Sequence, residues 1–254
     1  MYAKTLLDVL EGSVVEALRG DESAAVAYSG GIDSALIVEL ASRHSSVVRY
    51  TCGTAGSRDL ADAVAHQGQS TSTVIEIDDA TVKRLCATAV KVLGDHAPVP
   101  ISYTVPVLAV TEAAKERVVL VGSGADELFA GYAKYSGMAD PAAQMNKDLD
   151  KMLSELGLLN RHLAPTGKRV EAPFVGSAVV RLADTIPLDS KIGPAGRKLV
   201  LREAARSLGL AAHDRPKRAA QYSSGVLKAM ERMAKRDGKT LGEWTAGLAP
   251  HASP

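Results

Sequence analysis

The sequence predicts an α/β fold: a doubly wound, mostly parallel sheet of about five strands with helices on both faces, followed by a helical C-terminal part. Three observations lead there. Short apolar, β-branched runs alternate with segments of helical periodicity across residues 1–139. Two of those runs end in glycine-rich turns that carry an aspartate. From residue 140 onward the pattern is helical, with no clear strand.

Taken in order, Leu6, Leu10, Val14 and Leu18 recur at helical spacing and stop at Gly20, which predicts an amphipathic helix before the first strand. Ala24 to Tyr28 is the nearly continuous apolar run that a strand buried on both faces requires. Ser29-Gly30-Gly31-Ile32-Asp33-Ser34 follows, and a helix opens near Ser34. Ser46 to Cys52 is β-branched, ends at Gly53 and makes a second strand. Ser57-Arg58-Asp59 starts another helix. Ser72 to Ile77 is the third strand, and Asp78-Asp79 caps a helix in which Val82, Leu85, Cys86, Ala89 and Val90 share a face. Cys86 is therefore a core residue.

The segment from Pro98 to Pro106 is punctuated by proline and reads as a loop leading to an apolar helix from about Val107 to Lys115. Arg117 to Val121 is a fourth buried strand, followed by Gly122-Ser123-Gly124-Ala125-Asp126-Glu127. Met145, Leu149, Met152 and Leu156 then mark one face of a long helix. The expected organisation is one domain over 1–254, with a core at 1–139, a helical completion at 140–245 and a tail at 246–254.

Composition narrows the partners. Lys and Arg total 30 against 29 Asp and Glu, so no basic field points to nucleic acid. The two cysteines, Cys52 and Cys86, have neither metal nor redox spacing. No apolar run reaches the roughly 18 residues of a membrane span, and the N-terminus lacks the pattern of a signal peptide. A cytoplasmic protein is expected, with a homodimer left open.

The first glycine turn carries the chemistry. Adjacent glycines let backbone N–H groups converge on an anion, and the helix that follows adds its positive end at the same place. Ser29 and Ser34 offer hydroxyl donors. A carboxylate such as Asp33 would repel a phosphate unless a divalent cation lay between them, so the hexapeptide predicts a metal-bound polyphosphate. Asp126, at the second glycine-bearing strand end, is placed to share that metal. Cys52 and Gly53 lie at a third strand end, where backbone groups commonly meet an adenine. Neither the lysine-bearing Walker loop nor the third glycine of a dinucleotide fingerprint is present. The most basic stretch runs from Lys191 to Lys217.

The first loop resembles the pyrophosphate loop of the N-type ATP pyrophosphatases. Together with Gly53 to Leu60, Gly122 to Tyr132, Val170 to Phe174, Lys198 to Arg202 and Arg215 to Gly225, it resembles the synthetase domain of asparagine synthetase, in order and at similar spacing. The resemblance implies adenylation of a carboxylate by ATP with release of pyrophosphate, then displacement of AMP by ammonia. It also implies that Ser29, Gly30, Gly31, Asp33 and Ser34 hold the β and γ phosphates, that Asp33 and Asp126 bind Mg2+, and that Gly122 and Ser123 lie near the adenylate. Lys198 joins the nucleotide-binding set. Lys217 would stabilise charge developing on the α phosphate, and Ser123, Asp126 and Lys217 make up the expected catalytic group.

Three positions depart from the aspartate-amidating pattern. Ser123 stands where asparagine-forming members have a glutamate, Gly176 where an aspartate follows the Pro-Phe pair, and Ser102 where an arginine precedes a proline. Residue 2 is Tyr2 rather than a nucleophilic cysteine, so ammonia is expected from solution or from a separate glutaminase. The expected acceptor is a small carboxylate, aspartate or a related acid. Two alternatives stay open: a superfamily member acting on tRNA or in sulfur transfer, and an ATP-binding subunit that works with a separate glutaminase.

Overall fold

The computed structural model describes residues 2–65, 72–214 and 223–249. Its centre is a five-stranded sheet in the order β3-β2-β1-β4-β5, parallel throughout: β1 Ser23–Ala27, β2 Ser46–Gly53, β3 Ser72–Glu76, β4 Val118–Leu120 and β5 Arg169–Glu171. Strand β1 lies in the middle with β2 on one side and β4 on the other. The chain therefore reverses its direction of winding between β1 and β4, and a crevice opens there at the carboxyl ends of the strands.

Alternation along the strands feeds two cores. Ala24 and Val26 of β1, with Val118 and Leu120 of β4, pack beneath α1 Tyr2–Leu18 and α2 Ile32–Ala41. Ala25, Val119 and Val121 point the other way. They meet α4 Asp79–Leu93, α5 Pro98–Ala113 and α7 Pro141–Leu163. Between them in the chain come α3 Arg58–Ala65, packed on β2 and β3, and the single turn α6 Ala125–Leu128. Helices α8 Ser177–Thr185 and α10 Leu199–Ser207 join the first face, separated by the turn α9 Leu188–Lys191 and a two-stranded ladder, β6 Ile192–Gly193 with β7 Gly196–Arg197. Helices α11 Val226–Arg236 and α12 Leu241–Ala246 complete the second face, with Trp244 buried. Leu6, Leu10 and Val14 of α1 are wholly buried, each contributing about 1.5–3 kcal/mol to holding that helix on the sheet.

Two expectations are corrected. Residues 98–106 are not a loop but the first half of α5. Pro98 and Pro100 occupy the first turn, where no intrahelical N–H is needed, and Pro106 is accommodated inside the helix at the loss of one bond, the one it would have made to the carbonyl of Ser102. Residues after 140 are not strand-free, because β5 forms the edge of the sheet. Its three residues, with only Val170 buried, are too few for a period to show. Asp78 caps α4 as read, accepting from Thr81 N at 2.8 Å, and Cys86 is fully buried.

Candidate active site

A cleft of about 1260 Å³ runs along the carboxyl ends of the strands. Ser29, Asp33, Ser34, Cys52, Gly122, Ser123 and Asp126 all line it. The first loop closes on itself through its serines: Ser29 N donates to Ser34 Oγ at 3.3 Å, and Ser34 Oγ donates to Gly31 O at 3.1 Å. Gly30 takes φ +70°, which glycine reaches without steric cost. Gly31 is the N-cap of α2, with no side chain capping it, and Asp33 and Ser34 of the first helical turn line the cleft.

The second loop approaches the first closely. A Cβ on Gly122 would come within 2.9 Å of Asp33 Cβ, so glycine is what lets the two strand ends touch. Across that contact lies the centre of the site. Lys198 Nζ is 2.5 Å from Asp33 Oδ2 and 2.8 Å from Asp126 Oδ1, and the lysine side chain is 2% exposed. Burial pulls the Lys198 ammonium below the usual lysine range, against the charge and hydrogen bond of Asp33 that push it up. Gly131 makes room for this pair, since any Cβ there would collide with Asp126 Oδ1 and Lys198 Cε.

The backbone is strained at the same place. Among the described residues three non-glycines have positive φ, and two of them, Ala130 at 54° and Lys198 at 56°, flank this contact. Each costs on the order of 1 kcal/mol, which the surrounding packing must hold.

The ammonium occupies the point between the two carboxylates, and it brings together hard oxygen donors of the kind Mg2+ takes alongside phosphate oxygens. Asp33 Oδ1 is buried and has no hydrogen-bond partner among the described residues, so it retains a lone pair for such an ion. Among those residues no third carboxylate, histidine or cysteine joins the group, and the rest of the shell would come from substrate and water. The residues fit the metal.

Cys52 is buried with its thiol pushed up to about 12, first by burial and then by the charge of Asp59, so it contributes shape rather than a nucleophile. Gly53 packs against Ser57 and the carbonyl of Ser224. Thr54 N donates to Ser224 O at 2.9 Å, and a Cβ on Gly225 would strike Thr54 Oγ1. The end of the Arg215 to Gly225 segment is thereby seated in the cleft, while Lys217 lies outside the described residues. Of the three departures, Ser123 lines the cleft and the other two positions do not. Ser102 is buried, donating to Val99 O at 2.7 Å. Gly176 faces Ser13 of α1, whose hydroxyl a Cβ would strike.

The sequence reading missed a row of tyrosine and carboxylate pairs in the cleft. Tyr132 donates to Glu127 at 2.7 Å and Tyr103 to Glu155 at 2.6 Å; beside them Tyr135 donates to Asp148 at 2.8 Å, and Lys134 is 2.6 Å from Asp148. Burial raises Glu127 above the usual carboxylate range despite its hydrogen bond from Tyr132. A signal for Glu155 existed, since it interrupts the apolar face of Met152 and Leu156 with a charge.

The sequence matches the family described as asparagine synthase over residues 5–171. The chain belongs to the asparagine synthase family. A Methanocaldococcus jannaschii protein named "Putative asparagine synthetase", glutamine-hydrolyzing, is 29% identical over 282 aligned positions, covering 93% of this chain and 52% of that protein. "Asparagine synthetase domain-containing protein 1" of Gallus gallus is 36% identical over 126 residues, covering 44% of this chain and 20% of its own length. A Mycobacterium bovis protein, also named "Putative asparagine synthetase", is 34% identical over 137 residues, covering 50% and 20%. The chain thus spans about half the length of the first relative and a fifth of the other two. Within the family match fall both glycine loops and both aspartates; Lys198 lies beyond it.

Proposed function

We propose that this member of the asparagine synthase family is an ATP-dependent, AMP- and pyrophosphate-forming synthetase that adenylates a carboxylate for amide formation with ammonia. The observation that carries the reading is the meeting of Asp33 and Asp126 on the Lys198 ammonium, at the junction of two glycine loops.

In this scheme Ser29, Gly30, Gly31 and Ser34 hold the β and γ phosphates, with the start of α2 directed at their charge. Cys52 and Gly53 meet the adenine by backbone and shape. Asp33 and Asp126 hold Mg2+, which when bound neutralises charge on the phosphate oxygens. An acceptor carboxylate oxygen attacks the α phosphorus, the bond to the bridging oxygen breaks, and pyrophosphate leaves. Lys198, and Lys217 near the α phosphate, offset the negative charge that develops. Ammonia then attacks the acyl carbon beside Gly122 and Ser123, AMP leaves with the electron pair of the C–O bond, and one proton passes to solvent. Ser123 cannot act as a carboxylate base, so its part is a hydroxyl contact. Ammonia comes from solution or from a separate glutaminase.

The test is release of AMP and pyrophosphate from ATP and Mg2+ across a panel of amino acids and other carboxylates, with and without ammonia. Acid-dependent AMP formation, with an amide appearing only when ammonia is added, is expected. ATP bound without AMP formation across the panel would defeat the reading.

A further inference from the structure

One side of the cleft is chemically unlike the phosphate side. Between α5 and α7 the lining carries an apolar strip: Val107 and Val110 on one wall, Met152, Leu156 and Leu159 on the other, and Val121 just after β4 as floor. This slot opens at the second glycine loop, because Met152 Cε would lie 3.5 Å from a Cβ on Gly124, the residue after Ser123. Its polar residues are Tyr103 and Thr104 on α5 and Asp148, Lys151 and Glu155 on α7; Glu155 Oε2 accepts from Tyr103, and the Glu155 side chain is 15% exposed.

The charges in the slot are already paired. Of the cations lining the cleft, those from α5, α7 and the turn Ala133–Tyr135 are Lys134 and Lys151, while Arg58, Arg197, Lys228 and Arg232 come from elements outside the slot. Each already faces a carboxylate: Lys134 lies 2.6 Å from Asp148, and Lys151 lies 3.7 Å from Glu155 with half its surface in water. A second carboxylate on the acceptor would enter apolar surroundings beside Glu155 with no uncommitted cation from these elements, an arrangement that burial makes costly. An apolar group there would be favoured, and an ammonium would meet Glu155 at the range where Lys151 now stands.

We propose that the acceptor is a monocarboxylic acid bearing an apolar body and a protonated amine, the body entering the slot between α5 and α7 and the amine meeting Glu155. Tyr103 fixes the Glu155 carboxylate for that contact and is a positioning residue. The inference rests on the acyl-adenylating reading above and names its substrate class.

The experiment is calorimetric binding to the full chain with Mg2+ and α,β-methylene-ATP, which cannot release pyrophosphate. The probes are L-leucine, L-phenylalanine, their des-amino analogues 4-methylpentanoate and 3-phenylpropionate, and L-aspartate. The two apolar amino acids are expected to bind roughly tenfold or more tightly than aspartate, and more tightly than the des-amino acids. Glu155→Gln, which keeps an acceptor for Tyr103, is expected to abolish the preference for the amine while leaving affinity for the ATP analogue unchanged. Aspartate binding as well as leucine, des-amino acids binding equally well, or no probe binding would each overturn the proposal. AMP formation from ATP in parallel samples separates the two claims. Apolar amino acids that bind without AMP formation defeat adenylation and leave the pocket assignment standing; AMP formed with aspartate alone does the reverse.

Discussion

Lys198 donates to Asp33 across 2.5 Å from a side chain almost wholly withdrawn from water. The ammonium also touches Asp126, so one buried cation joins the first and second glycine loops and holds two carboxylates that would otherwise repel each other. A buried charge shared in this way matters more when one partner is removed than when all are present.

Lys198→Met should therefore destabilise the fold by about 3 kcal/mol, because two partly buried carboxylates lose their counter-charge. Urea denaturation followed by circular dichroism measures this. Adding Asp33→Asn and Asp126→Asn to the same chain should recover a large part of the loss. An unchanged midpoint in the single variant would show that the bridge contributes nothing.

Gly131→Ala places a methyl group against Asp126 Oδ1 and Lys198 Cε. The expected cost is about 1–3 kcal/mol, typical of overpacking a closed contact. Since both collisions involve the bridge, the cost should shrink in a Lys198→Ala, Asp126→Ala background, which removes both struck atoms. A thermodynamic cycle among these variants reads the coupling. Additive losses would mean that Gly131 serves some other contact.

The thiols of Cys52 and Cys86 are both pushed up to about 12, chiefly by burial. At pH 8 the thiolate fraction is then on the order of one in ten thousand, and thiolate is the reactive form. Ellman's reagent should leave the native protein unreacted over minutes and titrate both groups in urea. Rapid modification of the native chain at Cys52, detected by mass spectrometry, would contradict its burial near the end of β2.

Glu127 gives a pH dependence. Burial raises its pKa on folding, so its contribution is fully present below the unfolded value of 4.5 and is lost as pH rises through the higher folded value. Glu127→Gln keeps an acceptor for Tyr132 and carries no charge. The variant should match the parent near pH 4.5 and melt at a higher temperature at pH 8, as calorimetric scans at the two pH values would show. A melting difference that does not change with pH would mean the buried charge is not the cause.

What the sequence made legible was the part built from local pattern. Strands such as Ala24 to Tyr28 are long enough to show burial on both faces, and the two glycine turns sit where the chain reverses its winding, so Asp33 and Asp126 could be paired on paper. Lys198 could be named but not placed. Its contacts are non-local, and Gly196 and the strained backbone around it are set by tertiary packing. β5 was hidden because three residues are too few for a period to appear. Pro98, Pro100 and Pro106 misled because proline signals a break, whereas the first turn of a helix needs no N–H from them. The Tyr103–Glu155 pair joins two helices 52 residues apart, and nothing near either residue announces the other.

Asp33 leaves the ribosome 165 residues ahead of its ammonium partner, which at ordinary synthesis rates is a delay of roughly 10–30 s. Throughout that interval the nascent chain carries the first glycine loop, and later the second, without the ammonium that joins them. The contact between the two loops is therefore closed late, when Lys198 arrives just after β7, rather than growing in step with the chain.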